Sequence, residues 1–297
     1  MHVVPARVHD WHLDAVLVLQ PAEELVSGAA AMVHDGLFER APRPDVVLGQ
    51  HVAPLPAGLL GLAAGPAFAA TDNLRVTLTG AGGHASRPES TVDPVVMAAS
   101  TVLRLQTIVS REVAATETAV VTVGALHAGS KANIIPDSAQ LLMSVRTYEP
   151  EVRAAVLDAV DRVVQAEAVA ARAPQPPVVE TLESAPPVVN DPGGVARTRA
   201  ALETVVGAGA VVEPGLITAS EDVGVLADAA DAPCVFWLLG GADPAAFTGA
   251  TDVDAVRRVV ASLPSNHSPA YAPVLQPTLE LGCRSLVAAA LAWLSTA

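Results

Sequence analysis

The segment NLRVTLT, residues 73–79, is the point at which the hydropathy pattern of this 297-residue chain changes. Apolar and polar side chains alternate in it, which is typical of an antiparallel sheet with one face solvated or covered by helices. The pattern that follows predicts helix 92–109, strands 119–127 and 139–147, helix 150–169 and strand 177–182. Together with the opening strand, this βαββαβ order predicts a ferredoxin-like α+β domain.

On both sides of this domain the pattern is that of an α/β protein. Residues 14–19 and 45–51 are short apolar runs typical of buried strands, and a helix over 25–38 between them predicts a parallel crossover. Downstream, the pattern predicts helix 191–206, strand 234–239 and helix 277–295. We therefore expect an α/β fold with a mainly parallel sheet flanked by helices, split into residues 1–71 and 184–297 by an inserted domain at 72–183.

Composition argues against several classes of protein. The formal net charge of −14 does not suit a surface that follows nucleic-acid phosphates. The longest apolar run, 286–294, is far shorter than the roughly 20 residues that cross a bilayer, and no secretory signal is evident, so we expect a cytoplasmic protein with no membrane partner. Cys234 and Cys283 form neither a disulfide framework nor a paired metal motif, and both are expected to be buried thiols.

Acidic and imidazole side chains follow the apolar runs of the α/β part. Glu23 and Glu24 come soon after the strand at 14–19, and His51 ends the next one, so all three are expected at the carboxyl edge of a parallel sheet. His267 could join them from the far half of the chain. Such a set can bind a metal ion while one carboxylate moves a proton. Alternatively, the two glutamates form an ordinary helix start and each histidine lies in solvent.

Two competing motifs are rejected. Residues 80–85, GAGGHA, fit a dinucleotide-binding fingerprint, but Pro88 and Pro94 interrupt the helix that should follow it. A serine hydrolase has little support because the GxSxG nucleophile elbow does not occur.

Seven motifs occur in an order that resembles the aminoacylase-like metal-dependent amidohydrolases, which include hippurate and auxin-conjugate hydrolases. The resemblance covers essentially the whole chain. The motifs are QPAEE (20–24), GQH (49–51), GGHAS (82–86), NIIPD (133–137), SVRTYEPEVR (144–153), SED (220–222) and NHSP (266–269).

This resemblance implies a metal-dependent hydrolase of N-acyl amino acids. Glu23 is then the general base, with Glu24, His51 and His267 as ligands of up to two divalent ions per subunit, zinc being favoured over manganese, cobalt or nickel.

The resemblance also implies substrate contacts and a dimer. His84 would reach the partner subunit's site and stabilise the oxyanion, so the domain at 72–183 would form a homodimer. Asn133 and Arg146 would hold the substrate carboxylate, for which a guanidinium is geometrically suited. The split domain would be the catalytic one.

The chain departs from the family pattern at its start. The Cys-Gly-His-Asp motif that relatives carry upstream of QPAEE is missing, and His9, Asp10 and His12 lie too close to Gln20 to replace it, so we interpret them as solvated loop residues. We expect that the chain starts inside the fold and that its activity is impaired. The alternatives are a non-catalytic dimeric ligand-binding remnant of the family and a metallo-dipeptidase or carboxypeptidase.

Overall fold

The computed structural model describes residues 3–7 and 14–294, so the predicted loop with His9, Asp10 and His12 lies outside the described residues. The chain forms two compact units. The first contains residues 1–67, 188–217 and 222–297, and the second contains 68–187 and 218–221. The sequence places the corresponding bounds at 71/72 and 183/184.

The second unit has the ferredoxin-like arrangement that the alternating pattern predicts. The elements of the first unit that precede it are β1 (Val3–Arg7), β2 (Asp14–Val18), α1 (Gly28–His34), α2 (Leu37–Arg40), β3 (Val47–Pro56), β4 (Leu60–Gly61) and β5 (Gly65–Phe68). The elements of the second unit are β6 (Ala70–Thr79), β7 (Gly83–His84), α3 (Pro94–Arg111), β8 (Ala119–Ala128), β9 (Ile134–Ile135), β10 (Ser138–Thr147), α4 (Pro150–Ala170) and β11 (Val178–Ala185). Its main sheet is antiparallel with strand order β11-β6-β10-β8, and the predicted element ends differ from the observed ones by three residues or fewer.

The period-2 pattern builds the core of this unit. Every second side chain of β10 from Ala139 to Val145 is buried, and the same holds for β6 from Leu74 to Leu78. These faces pack against α3 and α4, whose buried side chains include Leu105 and Val160. Burying one such side chain contributes about 1.5–3 kcal/mol, so this face of the sheet holds the two helices.

The first unit resumes after β11. Its later elements are β12 (Val188–Asn190), α5 (Pro192–Val206), β13 (Val211–Val212), α6 (Val223–Ala230), β14 (Cys234–Ala242), α7 (Val253–Ser262) and α8 (Thr278–Leu294). The four-stranded sheet has the order β13-β4-β14-β3, with β14 parallel to β3 and antiparallel to β4. Trp237 of β14 is fully buried in a core with side chains of α5 and α8, among them Leu202 and Ala289. The central strand is therefore apolar along its length, as a strand covered by helices should be.

The predicted parallel crossover from 14–19 to 45–51 is wrong. β2 pairs with β1 in antiparallel register, Val18 opposite Val3 and Asp14 opposite Arg7, and not with β3. An apolar run shows that a strand is buried but not which strand it pairs with, and an apolar neighbour a few residues away closes a pair at low entropic cost.

The single helix predicted for 25–38 is also wrong. Residues 23–25 form a short 3-10 helix, and α1 and α2 are separated by Gly36 at φ +80°. A residue at positive φ cannot continue a right-handed helix, so the chain turns there.

Of the two cysteines, Cys234 is buried as expected, but Cys283 is exposed on α8, so that prediction is wrong for Cys283. Cys283 lies on the face of α8 that is turned to solvent, and the position of a residue on an amphipathic helix determines its burial even when the residue type is usually buried. No helix in the described part of the chain is both long and apolar enough to cross a bilayer.

Candidate functional site

The segment that carries Glu23 and Glu24 has an unusual backbone. Ala22 at φ 56° and Val26 at φ 50° flank the 3-10 helix Glu23–Leu25. A left-handed conformation is disfavoured for residues with a Cβ, and most of all for a β-branched one such as Val26. It persists only where surrounding contacts enforce it, and such strain is concentrated at functional sites.

Asp222 supplies those contacts. Its Oδ1 accepts a hydrogen bond from Gln20 Nε2, and its Oδ2 accepts one from the backbone N–H of Ala29 at 3.0 Å. Asp222 is only 1% exposed, and its bond to Ala29 is buried, whereas Gln20 is partly buried. The close approach of the chain here requires glycine at position 28, because a Cβ would lie only 1.7 Å from the carbonyl oxygen of Pro21. One carboxylate therefore fixes the segment at both of its ends.

The sequence marks Asp222 only as part of the SED motif and assigns it no role. An acid that directly precedes an apolar helix, such as α6, is ordinarily interpreted as a helix cap. In the structure Asp222 makes no side-chain cap bond to α6. Its contacts are with residues 193 and 202 positions earlier in the chain, which no local pattern reveals.

Glu23 is partly buried within this segment. The backbone of Glu24 follows it in the same 3-10 helix. The side chain of Glu24 lies outside the described part of the structure, so its predicted place beside His51 stays a prediction.

The bonding of His51 defines its tautomer. Nδ1 lies 2.6 Å from the backbone oxygen of Val52, which can only accept a hydrogen bond. The neutral ring therefore carries its proton on Nδ1 and its basic lone pair on Nε2. A histidine that ligates a metal usually donates its other ring N–H to a carbonyl or carboxylate in this way.

The loop with His267 reaches the strand of His51. Asn266 Nδ2 donates to the Val52 oxygen at 2.7 Å and lies 3.4 Å from His51 Nδ1. His267 itself is exposed. The described side chains, among which Glu24 is not counted, include no group of three His, Cys, Asp or Glu able to hold a metal ion. The structure thus brings the NHSP and GQH motifs together, while the full ligand set stays a prediction.

In the second unit, His84 and Asn133 are neighbours. β7 pairs with β9, with His84 opposite Ile134, and the Ala85 N–H donates to the Asn133 carbonyl at 3.1 Å. The side chains of both His84 and Asn133 are exposed. The GGHAS and NIIPD motifs therefore form one small hairpin-like surface.

His84 has the opposite tautomer to His51. Its Nδ1 accepts from the Ser86 backbone N–H at 3.2 Å and lies 2.8 Å from the Ser86 hydroxyl. Because a backbone amide can only donate, the proton of the neutral ring lies on Nε2. His84 thus presents an N–H donor, as stabilisation of a developing negative charge requires.

Arg146 lies on β10, on the face opposite the core, where its Nη1 donates to the Ser220 hydroxyl. Burial lowers the pKa of its guanidinium, and the charges of Glu183 and Asp72 act to raise it. Asp72 is itself held by Arg153, with two N···O distances of 2.7 Å. No carboxylate in the described part of the chain forms an ion pair with Arg146. Its guanidinium is therefore available to bind the carboxylate of a ligand.

Comparisons with known proteins place this geometry in a family. The profile of peptidase family M20/M25/M40 matches residues 2–263. The N-acetyl-L-cysteine deacetylase of Bacillus subtilis (strain 168) is 41% identical over 138 residues, which are 46% of this chain and 32% of that protein. The hippurate hydrolase of Campylobacter jejuni is 44% identical over 138 residues, 46% of this chain and 36% of that protein. The chain thus spans about a third of the length of these curated relatives.

A solved structure supports the fold. The Bacillus subtilis YXEP protein, described as a dinuclear metal binding peptidase from the M20 family, superposes with a TM-score of 0.59 at 23% identity, covering 85% of this chain and 66% of that one. At this identity the likeness shows the fold alone. It confirms the predicted α/β fold with an inserted α+β domain, and the family match confirms the resemblance that the seven motifs carry. The chain belongs to peptidase family M20/M25/M40.

Proposed function

We propose that the protein hydrolyses the amide bond of N-acyl amino acids with the help of bound divalent metal ions. Family membership and the names of the deacetylase and hippurate hydrolase relatives support this reaction class. The observation that carries the proposal is the pair of opposite tautomers: His51 offers a lone pair on Nε2, and His84 offers an N–H there. These are the forms that a metal ligand and an oxyanion donor need.

The residues of the first unit fit a metal ion by their chemistry. Glu24, His51 and His267 supply carboxylate and imidazole donors, which suit zinc and also manganese, cobalt or nickel. A bound cation would acidify water and polarise the substrate carbonyl. We propose zinc, with up to two ions per subunit as in the dinuclear metal binding peptidase of similar fold.

Glu23 is the proposed general base. The two bonds of Asp222, to Gln20 and to Ala29, hold the backbone on either side of Glu23, which supports a defined position for this residue. It would take a proton from the attacking water and pass it to the leaving amine. Residues 1–71 and 184–297 are accordingly the proposed catalytic domain.

We assign the second unit to substrate binding and dimerisation. Arg146 and Asn133 would hold the carboxylate of the substrate, since a guanidinium and an amide both donate to carboxylate oxygens. His84 would act in the site of the partner subunit, which makes residues 72–183 the proposed dimerisation domain. We place the homodimer in the cytoplasm.

The test measures metal content and hydrolysis of N-acetyl and N-benzoyl amino acids beside dipeptides with a free amine. We expect one to two equivalents of metal, turnover of the acylated compounds, and a loss of about 10²–10⁴-fold in Glu23→Gln. Elemental analysis identifies the ion. Turnover of free dipeptides alone would favour a dipeptidase, and binding without turnover, unchanged by a chelator, would favour a non-catalytic binding protein.

Mixing two inactive variants tests the dimer. If His84 acts in the partner's site, Glu23→Gln and His84→Ala subunits form mixed dimers with one complete site. Random exchange would then restore about a quarter of the wild-type activity. Absence of any restoration, with subunit exchange shown by mass spectrometry of the native complex, would place both residues in the same subunit's site.

A further inference from the structure

The second unit has a cavity beside the hairpin of His84 and Asn133. It has a volume of about 530 Å³ and opens between the loop after His84, the start of α3 and the connection from β8 to β9. This volume lies in the usual range of small-molecule pockets. Apolar side chains of the wall include Pro88, Val95, Ile134, Ile135 and Pro136, and polar atoms contribute about as much of the lining surface.

Two opposite charges line this cavity. The lining contains Lys131, the only lysine of the chain, and one acid, Asp93. In the described part of the chain neither side chain forms an ion pair, with the other or with any other residue. Charges that line a common cavity and form no ion pair are available to a ligand that carries the matching charges.

Both charged residues are held in place by the backbone. The Ile134 N–H donates to the Lys131 carbonyl at 3.3 Å, which closes a turn that presents the lysine. Asp93 caps α3, with Oδ1 accepting from the Val95 N–H at 2.8 Å. The fold therefore fixes the backbone at both charges.

The ligand must carry both signs of charge. A lone anion attracted to Lys131 would also meet Asp93, and a lone amine would meet Lys131. A zwitterion with an apolar body satisfies both groups and the wall. We propose that this cavity binds a free α-amino acid with an apolar side chain.

The place of the cavity links it to the residues of the proposed reaction. Ala85 lines it and follows His84, and Ala132 and Ile134 line it on either side of Asn133. A free amino acid is also the product of the proposed hydrolysis, so the site would sense product next to two residues that act on substrate. The binding itself does not depend on the proposed function.

Calorimetric titration of the full chain tests the site. L-leucine is the probe, with 4-methylpentanoate and 3-methylbutylamine as analogues that keep one charge each. We expect leucine to bind about tenfold or more tightly than either analogue, since each removes one charge-assisted contact. Equal affinity for all three, or no saturable binding of leucine, would overturn the proposal.

Variants assign the binding to this cavity. Lys131→Met keeps the apolar stem and removes the charge, and Asp93→Asn removes the charge while asparagine still caps a helix. Each should weaken leucine binding by about tenfold or more and abolish the advantage over one analogue. The control is Asp252→Asn, which changes a capping acid of α7, with the same cap bond to a backbone N–H. Unchanged affinity in both cavity variants would show that leucine binds elsewhere.

Variants that do not fold are recognised by their melting temperature before the titration. If either variant fails to fold, a second one replaces it. Lys131→Gln removes the charge and keeps a hydrogen-bonding side chain, and Asp93→Ser removes the charge and keeps a helix-capping residue. Leucine binding to these variants is then compared with binding to the wild type. A chain that binds leucine but hydrolyses nothing would refute the proposed function alone. A chain that hydrolyses N-acyl amino acids but binds leucine no better than its analogues would refute this proposal alone.

Discussion

His51 and His84 use the same ring nitrogen in opposite ways. A carbonyl at 2.6 Å makes Nδ1 of His51 a donor, and a backbone amide at 3.2 Å makes Nδ1 of His84 an acceptor. The nitrogen that faces away from this bond, Nε2, is therefore a lone-pair acceptor in His51 and an N–H donor in His84. Which role each histidine takes is thus set by a single backbone group.

We expect His84→Ala to lower kcat by about 10²–10³-fold with a much smaller change in KM, because the N–H donor would act mainly on charge that develops in the transition state. Steady-state kinetics on the preferred N-acyl substrate measure both constants. His127→Ala is the control, since His127 is an exposed histidine of the same unit. Equal kcat in His84→Ala and wild type would exclude the oxyanion role.

The two cysteines should differ in reactivity. Burial raises the pKa of the Cys234 thiol to about 12, with the charge of Asp228 as a smaller cause, whereas Cys283 is exposed. Because the thiolate is the reactive form, a thiol reagent at pH 8 should modify one cysteine in the native protein and both in denaturant. Mass spectrometry counts the adducts, and rapid modification of both in the native state would contradict the burial.

The buried thiol of Cys234 should make the stability of the protein depend on pH. A pKa raised in the folded state favours folding fully below the unfolded value of 9.0, and this contribution falls as pH rises from there towards about 12. In Cys234→Ala the unfolding free energy should therefore decrease less between pH 9 and pH 12 than in the wild type. Urea denaturation at several pH values measures this difference.

At the scale of elements, the segment between β2 and α1 depends on a residue far away in the sequence. Asp222 precedes α6, yet it bonds Gln20 and Ala29 around the 3-10 helix of Glu23. The left-handed Ala22 and Val26 would not persist in an isolated peptide, because their intrinsic preference is for other backbone regions. The tertiary contact thus overrides the helix that the local pattern predicts.

We expect Asp222→Ala to lower the unfolding free energy by about 2–3 kcal/mol, because it leaves the buried Ala29 N–H and the partly buried Gln20 amide without an acceptor. Asp222→Asn keeps an acceptor oxygen and should lose less. Urea denaturation gives both values, with Asp252→Ala as a control at an exposed helix cap. A change below about 0.5 kcal/mol in Asp222→Ala would show that the two bonds do not fix the segment.

Sequence patterns predicted the second unit well and the first unit less well, for a physical reason. β6 and β10 alternate apolar and polar residues, so their direction, pairing and buried face follow from period and topology. β2 and β3 show no such alternation of apolar and polar residues, which leaves their pairing undetermined. Motif order predicted that NHSP approaches GQH, and the contact of Asn266 with His51 shows that it does. The role of Asp222 could not be predicted, since it depends on tertiary contact alone.

At the scale of the whole molecule, the second unit has a core of its own. The cluster that includes Leu141 and Val160 is formed by residues of this unit, and β6 and β11 pair so that Asp72 lies opposite Ser184. The main segment of this unit, residues 68–187, therefore begins and ends near neighbouring strands. Such an arrangement is typical of a domain that can fold alone.

We expect the fragment 68–187 to unfold cooperatively, because its sheet and both of its core helices are complete. Circular dichroism during thermal denaturation measures this. Leu141→Asp in the fragment is the negative control, since it places a charge in the core and should abolish the transition. A fragment that shows no transition would make the second unit dependent on the rest of the chain.

The parallel pairing of β3 with β14 bears on how the protein is made. Val47 lies opposite Cys234, so β3 leaves the ribosome long before its partner is translated. All strands of the ferredoxin-like sheet are complete by Ala185. During synthesis, the middle of the polypeptide is thus expected to reach its native form first, while β3 waits with an unpaired edge that chaperones or other nascent chains can contact.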